Sequence, residues 1–243
     1  MAGGADIALV LAAAGAVLVA LTGQGTWTGA LSGLGVAVVS IIGLGPGALL
    51  PLAIFVLGGG ALTRMGRSRK QAAGAAEPNE GRRGGRHVAA KLGIPALLGI
   101  AGIFVGKGPA LSLAYAAALA GALADTSGTE VGPLGGGSTV GLSGGRLQRL
   151  PHGTPGGMSA AGLFAAAAGA TAVALGSSAS GLITGPGAAG VVAGAGFGAS
   201  FLESLVAATP MGRSLGHFGR NALLSAVASA IGFWAGVARW GRA

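Results

Sequence analysis

Apolar residues fill this chain in long runs, and polar residues are confined to the stretches between them. Runs near 5–22, 28–44, 46–63, 89–105, 108–124, 158–177, 186–208 and 220–238 each approach the length of a membrane crossing. A transmembrane helix needs about 20 mostly apolar residues, and shorter ones serve when packed inside a bundle. The pattern predicts an all-α, polytopic membrane helix bundle of about seven to eight transmembrane helices, forming one integral membrane domain over 1–243. Gly-Pro breaks such as "GLGPGALLP" (Gly43–Pro51) interrupt some runs. The first run carries Asp6 as its only charge and has no basic segment before it. It is expected to be a first transmembrane helix rather than a cleaved signal.

Composition agrees with the pattern. Hydrophobic residues make up 51% of the chain and charged residues 9%, against about 25% charged in soluble domains. Cysteine is absent, which removes disulfides, thiolate chemistry and Cys-based metal sites. Glycine is 52 of 243 residues, several times the usual ~7%. Inside apolar runs glycine lets helix backbones approach closely. Gly190, Gly194 and Gly198 share one helical face, as do Gly102 and Gly106, and both sets are expected to be packing faces. The net charge of +9 does not point to nucleic acid, because no basic groove with interleaved aromatics accompanies it.

In a membrane protein Lys and Arg report topology. Eight of the fifteen lie between Arg64 and Lys91, which predicts a basic cytoplasmic loop over 64–91. Counting spans outward puts the Gly-rich loop 125–157 and the segment 203–220 on that side too. Glu77, Glu80, Asp125, Glu130 and Glu203 fall there as well, and they are five of the six acids. The expected location is an integral membrane (the inner membrane in a prokaryote), with the active site on the cytoplasmic face. Lys107, Arg239 and Arg242 would lie opposite. The low-complexity stretch Gly132–Gly157 is expected to be mobile by composition.

Candidate chemistry sits where polar residues meet the ends of apolar runs. In "ADTSGTE" (Ala124–Glu130), Asp125 and Thr129 share a helical face, whereas Glu130 points about 140° away at ~100° per residue. Gly128 permits a break that would return Glu130 to that face. Two carboxylates with hydroxyls suit Mg²⁺, which takes oxygen ligands and shares substrate phosphates. The plain alternative is a helix end dipping into water. In "ASFLESLVAATP", Glu203 follows a long stretch without acids and shares a face with Ser200. An ionisable group at a span edge is functional by default, the structural alternatives being snorkelling or a pair with Arg213. "HGTPGGMS" (His152–Ser159) offers Thr154, Gly156, Gly157 and Ser159 at a helix start, where backbone N–H groups attract anions. Ser159 or Thr154 would otherwise be a simple N-cap. "LTRMGRSRK" supplies Arg64, Arg67 and Lys70 for phosphate or anionic lipid, or as a topology anchor. His217, Arg220 and Asn221 lie near the last span. "GIFVGKG" (Gly102–Gly108) is not a phosphate loop, since its spacing is wrong and no Ser or Thr follows Lys107.

The segments "ALADTSGTEVG", "GTPGGMS", "SFLESLVAATP" and "RNALLS" resemble, in order and spacing, the membrane family known as domain of unknown function 92. That family includes transmembrane protein 19 and the plant phytyl-phosphate kinase. The resemblance runs from about Leu62 to Gly236. It implies a membrane kinase that converts a prenyl monophosphate, of phytyl or geranylgeranyl type, to the diphosphate. Asp125, Thr129, Glu130, Thr154, Gly157, Ser159, Glu203, Ser204, Thr209 and Asn221 stand on matching positions. The chain departs from the family in its Gly-rich 132–157 loop and in "AAKLG" around Lys91.

The resulting expectation joins the two readings. A nucleoside triphosphate, CTP being the donor that related isoprenoid kinases suggest, binds with Mg²⁺ at the cytoplasmic face. Asp125, Glu130 and Glu203 serve as catalytic, metal-holding carboxylates. Arg64, Arg67, Lys70, Thr129, Thr154, Gly156, Gly157, Ser159, Ser204 and Asn221 bind nucleotide or phosphate, and the prenyl tail lies in the bilayer. The rival from another class is a transporter or flippase for an anionic substrate, against which stands the gathering of acids at one face.

Overall fold

The computed structural model describes residues 2–72, 82–135, 138–143, 146–151 and 154–240. Glu77, Glu80, His152, Gly153 and Arg242 lie outside the described residues, and so does the middle of the basic loop. Among the described residues eight helices are long and apolar enough to cross a membrane, and the chain is an all-α polytopic bundle. They are α1 (Ala2–Leu21), α2 (Trp27–Leu44), α3 (Pro46–Arg64), α5 (Gly85–Val105), α6 (Pro109–Val131), α7 (Ala160–Ala179), α8 (Pro186–Ala207) and α9 (Pro210–Trp240). A short helix α4 (Arg67–Ala72) follows α3. Within α3 the helix loosens into one π-type stretch, Ile54–Gly58.

Local signals explain the boundaries. The Thr26 side chain accepts the Gly29 N–H at the start of α2, and Ser159 accepts that of Gly162 at the start of α7. Each satisfies a donor that the first turn leaves open. Pro46, Pro109 and Pro186 open their helices, where the missing N–H costs nothing. Gly106 ends α5 at φ 83°, a conformation that side chains disfavour.

Helix α6 is the axis of the bundle, with α7, α8 and α9 packed around it. Its run "SLAYAAALAGALA" is small enough for neighbours to close in with glycine. A Cβ at Gly169 of α7 would lie 2.5 Å from Ser127 Oγ. One at Gly196 of α8 would lie 2.6 Å from Ala120 Cβ, and one at Gly232 of α9 2.6 Å from the Leu113 carbonyl oxygen. A second glycine seam joins α2 to α5, where a Cβ at Gly43 would meet the Gly99 carbonyl at 1.9 Å and one at Gly102 would meet Gly43.

Three expectations need correction. Gly190, Gly194 and Gly198 do share a face of α8, but that face is open, with nothing near a Cβ at any of them. Ala188, Val192, Ala195 and Ala199 supply the buried side instead. Of the other glycine pair, Gly102 packs and Gly106 is a cap. Gly128 does not break α6, which runs on to Val131; it admits α7 instead, the Gly162 carbonyl sitting 3.3 Å from where its Cβ would be. The last expected run is preceded by a helical segment from Pro210, the two meeting at a kink at Gly216 (φ 62°, ψ −177°).

The Gly-rich loop is not shapeless. It forms an antiparallel hairpin of β1 (Thr139–Ser143) and β2 (Arg146–Leu150), with Thr139 opposite Leu150. Val140 exchanges 2.8 Å backbone hydrogen bonds with Met158, which ties the hairpin to the turn before α7. Backbone pairing with a fixed neighbour supplies order that composition does not report. The segment before α5 is tied down in the same way, Arg83 bonding to Gln24 and Thr26 in the α1–α2 turn. That turn, the basic segment, the hairpin and the α8–α9 corner occupy one end of the bundle. Lys107 and Arg239 lie at the other.

Candidate functional site

At the loop-rich end a polar cavity of about 580 Å³ opens between α6, α7, α8 and α9 under the hairpin. Its carboxylates come from Asp125 and Glu130 on α6 and Glu203 on α8. Hydroxyls come from Thr129, Thr154, Ser159, Ser200 and Ser204. His87, His217 and Arg220 complete the charged and polar wall.

Each carboxylate has its own cation. Lys91, in α5 and 4% exposed, donates from Nζ to Asp125 Oδ2 at 2.8 Å and to Thr126 Oγ1 at 2.8 Å. Lys70 of α4, 1% exposed, donates to Glu130 Oε2 and to the carbonyls of Leu62 and Thr63. Arg220 Nε donates to Glu203 Oε1 at 2.8 Å, and its Nη1 reaches the Gly212 carbonyl at 3.1 Å. A charge buried alone would cost several kcal/mol, so pairing is what lets these groups stand inside a bundle. Asp125 also lies within electrostatic reach of Glu203.

The unbroken course of α6 decides the spread of these groups. Asp125 faces α5 and Glu130 faces α4, as five helical steps require. The three carboxylates therefore do not converge as one ion's ligand set, and no group of three Asp, Glu or His side chains suited to a metal occurs among the described residues. This corrects the expectation of a joint three-carboxylate centre. One acceptor is nevertheless open: Glu130 Oε1 is buried with no hydrogen-bond partner among the described residues. Buried polar atoms without partners are rare and call for an explanation.

The other sequence candidates divide. Thr129, Thr154, Gly156, Gly157, Ser159 and Ser204 line the cavity. Thr129 bonds back to the carbonyls of Asp125 and Thr126 along its own helix. Ser159 caps α7 and also reaches the Gly132 carbonyl. Gly156 adopts φ 80° where its backbone passes close to Ser204 and Ala208, so a side chain there would clash. Arg64, Arg67, Lys70 and Asn221 are not among the lining residues. Arg64 turns away to the Thr22 carbonyl in the α1–α2 turn. Lys70 is consumed by Glu130 and two carbonyls. Asn221 is buried beside the cavity and holds His217, with Nδ2 3.0 Å from the ring Nε2 and 2.9 Å from the His217 carbonyl. Arg213 does not pair with Glu203; it bonds to the Ala208 carbonyl.

Sequence reasoning passed over His87 and Lys91. The imidazole of His87 stands 6.4 Å from that of His217. The two residues are four apart on one face of α5, at the edge of an apolar run. A lysine inside such a run was itself a signal.

A polytopic helical membrane bundle with a charge-lined cavity at one end defines the class. Within it the chain belongs to the integral membrane protein family DUF92, whose model matches residues 7–216. It is 36% identical over 181 residues to an uncharacterized membrane protein of Synechocystis sp., covering 72% of this chain and 67% of that relative. No solved structure matches it.

Proposed function

We propose that this protein is a membrane kinase that phosphorylates a prenyl monophosphate to the diphosphate, using a nucleoside triphosphate with Mg²⁺. The observation that carries this reading is the cavity itself, which sets paired carboxylates and cations beside hydroxyls and backbone turns at the membrane end. Phosphoryl transfer asks mainly for positioning and electrostatic stabilisation, and this wall is built of both. An oxygen of the acceptor phosphate attacks the terminal phosphorus of the donor. The bond to the bridging oxygen breaks, and the nucleoside diphosphate leaves. The acceptor is already anionic near neutral pH, its second pKa being about 6, so no strong base is needed.

The chain's own groups have clear parts in such a reaction. Arg220 spends Nε and Nη1 on protein partners, and its remaining N–H groups suit phosphate oxygens. The Thr154–Ser159 turn lines the same cavity. Mg²⁺ binds through one or two carboxylates and keeps substrate phosphates as further ligands. Glu130, with its unpartnered Oε1, fits that requirement as a single carboxylate, while Asp125 stands on the same wall paired with Lys91. The ion would supply charge neutralisation between donor phosphates.

The test is direct. Detergent-purified protein is incubated with phytyl- or geranylgeranyl-monophosphate, Mg²⁺ and CTP, ATP, GTP or UTP in turn, and prenyl diphosphate is sought by mass spectrometry. Wild type should form product with at least one donor. Arg220→Gln and Asp125→Asn, checked for intact folding, should lose at least tenfold in rate. Absence of product with every donor from folded protein would refute the kinase, and full activity in Asp125→Asn would remove Asp125 from the site.

A further inference from the structure

A second cavity, of about 510 Å³, lies between α1, α2, α3 and α5. It follows α1 from Gly4 to Val19, fifteen steps or about 22 Å at the helical rise. That is most of the hydrocarbon thickness of a bilayer. Along this length the wall is aliphatic, with Phe55 and Val56 contributed by the π-type stretch of α3. Such stretches are rare and frequently mark functional positions.

Polar residues enter the wall at one end only. There Gln24, Arg83, His87 and Lys91 meet, and no carboxylate is among the described lining residues. At this end Gln24 Oε1 and His87 Nε2 are buried without a hydrogen-bond partner among the described residues. Lys91 has protein partners for two of its three ammonium hydrogens. Gln24 and His87 also carry amide and ring N–H donors in their neutral forms. The end of the groove therefore presents cationic and donor groups to whatever lies there. His87 lines both cavities, so the mouth of the groove and the charged site are neighbours at that residue. An elongated apolar slot with a cationic mouth is complementary to one kind of molecule, a long hydrocarbon with an anionic head.

We propose that this groove holds the tail of the isoprenoid monophosphate, with its phosphate at the Gln24–Arg83–His87–Lys91 mouth, and that α1 and α2 thereby set the accepted tail length. The proposal rests on the kinase reading for the identity of the head group, and it adds where the substrate lies. It also assigns α1 and α2 a task. Gly15 on α1 and Gly33 on α2 line the slot, and a Cβ at either meets nothing within 4 Å. Larger side chains there would fill the groove without disturbing helix packing.

A geranylgeranyl monophosphate carrying a diazirine at the tail end is photolysed with the full-length protein in nanodiscs, and labelled peptides are mapped by mass spectrometry. Label is expected on α1, α2 and α3. Gly33→Phe should reduce it at least tenfold, whereas Gly33→Ala should keep it, with equal thermal unfolding in both. Where turnover is measurable, Gly33→Phe should shift the kcat/KM ratio of geranyl over geranylgeranyl monophosphate upward at least tenfold. Label on α7 and α8, or unchanged labelling in folded Gly33→Phe, overturns the groove even if the kinase is real. Label in the groove with no turnover on any donor refutes the kinase and keeps the groove. If unlabelled phosphatidic acid competes as well as unlabelled geranylgeranyl monophosphate, the occupant is a general phospholipid and the isoprenoid assignment falls.

Discussion

Helices α1 and α6 invert the rule of soluble proteins. By mean hydropathy α1 is the most apolar of the eight spans and α6 the least, yet 11% of the apolar stretch of α1 is buried inside the protein against 89% for α6. Lipid is as apolar as leucine, so a greasy helix gains little by leaving it. A helix with Asp125, Thr126, Ser127 and Glu130 gains a great deal, because only other helices can pair those groups. The charged cavity is accordingly built on the most enclosed helix, held by glycine contacts on several sides. The apolar groove is walled by the least enclosed one, where the fit can vary with the guest.

Four substitutions would break or sharpen this contrast. The largest effect should come from the enclosed side. Lys91→Met leaves Asp125 buried without its cation and should lower stability by about 3–5 kcal/mol, read by thermal unfolding in detergent. Lys91→Met combined with Asp125→Leu should recover most of that loss, since neither charge is then stranded. Failure of the double variant to recover would mean that the pair is not isolated from its neighbours. A smaller loss, about 1–3 kcal/mol, is expected for Gly232→Ala, whose Cβ would press on the Leu113 backbone of α6. The smallest effect belongs to α1. Gly15→Ala has open space around it and should change stability by no more than about 1 kcal/mol, in the stabilising direction that helix propensity favours. Equal losses for Gly232→Ala and Gly15→Ala would dissolve the distinction between the two helices.

Much of the bundle was legible because bilayer thickness sets the length of a span and apolar composition marks it. Pairing was less legible. Asp125, Glu130 and Glu203 could be singled out by rarity and position, but their partners Lys91, Lys70 and Arg220 lie 34, 60 and 17 residues away. Arg213, nearer in sequence to Glu203 than Arg220 is, turns to a backbone carbonyl instead. Glycine showed the same limit. A spacing of four places Gly190, Gly194 and Gly198 on one face, but it does not say whether that face meets a helix or lipid.

By itself, then, the sequence determined the spans, their order, the shared side of the polar loops and the acids worth suspecting, since hydropathy and charge act locally. Only the tertiary structure decided which face of each helix turned inward, which cation met which carboxylate, and that His87 lines both a charged cavity and an apolar groove. Those outcomes depend on contacts between residues far apart in the chain, and an unbroken α6 fixed the directions in which its carboxylates point.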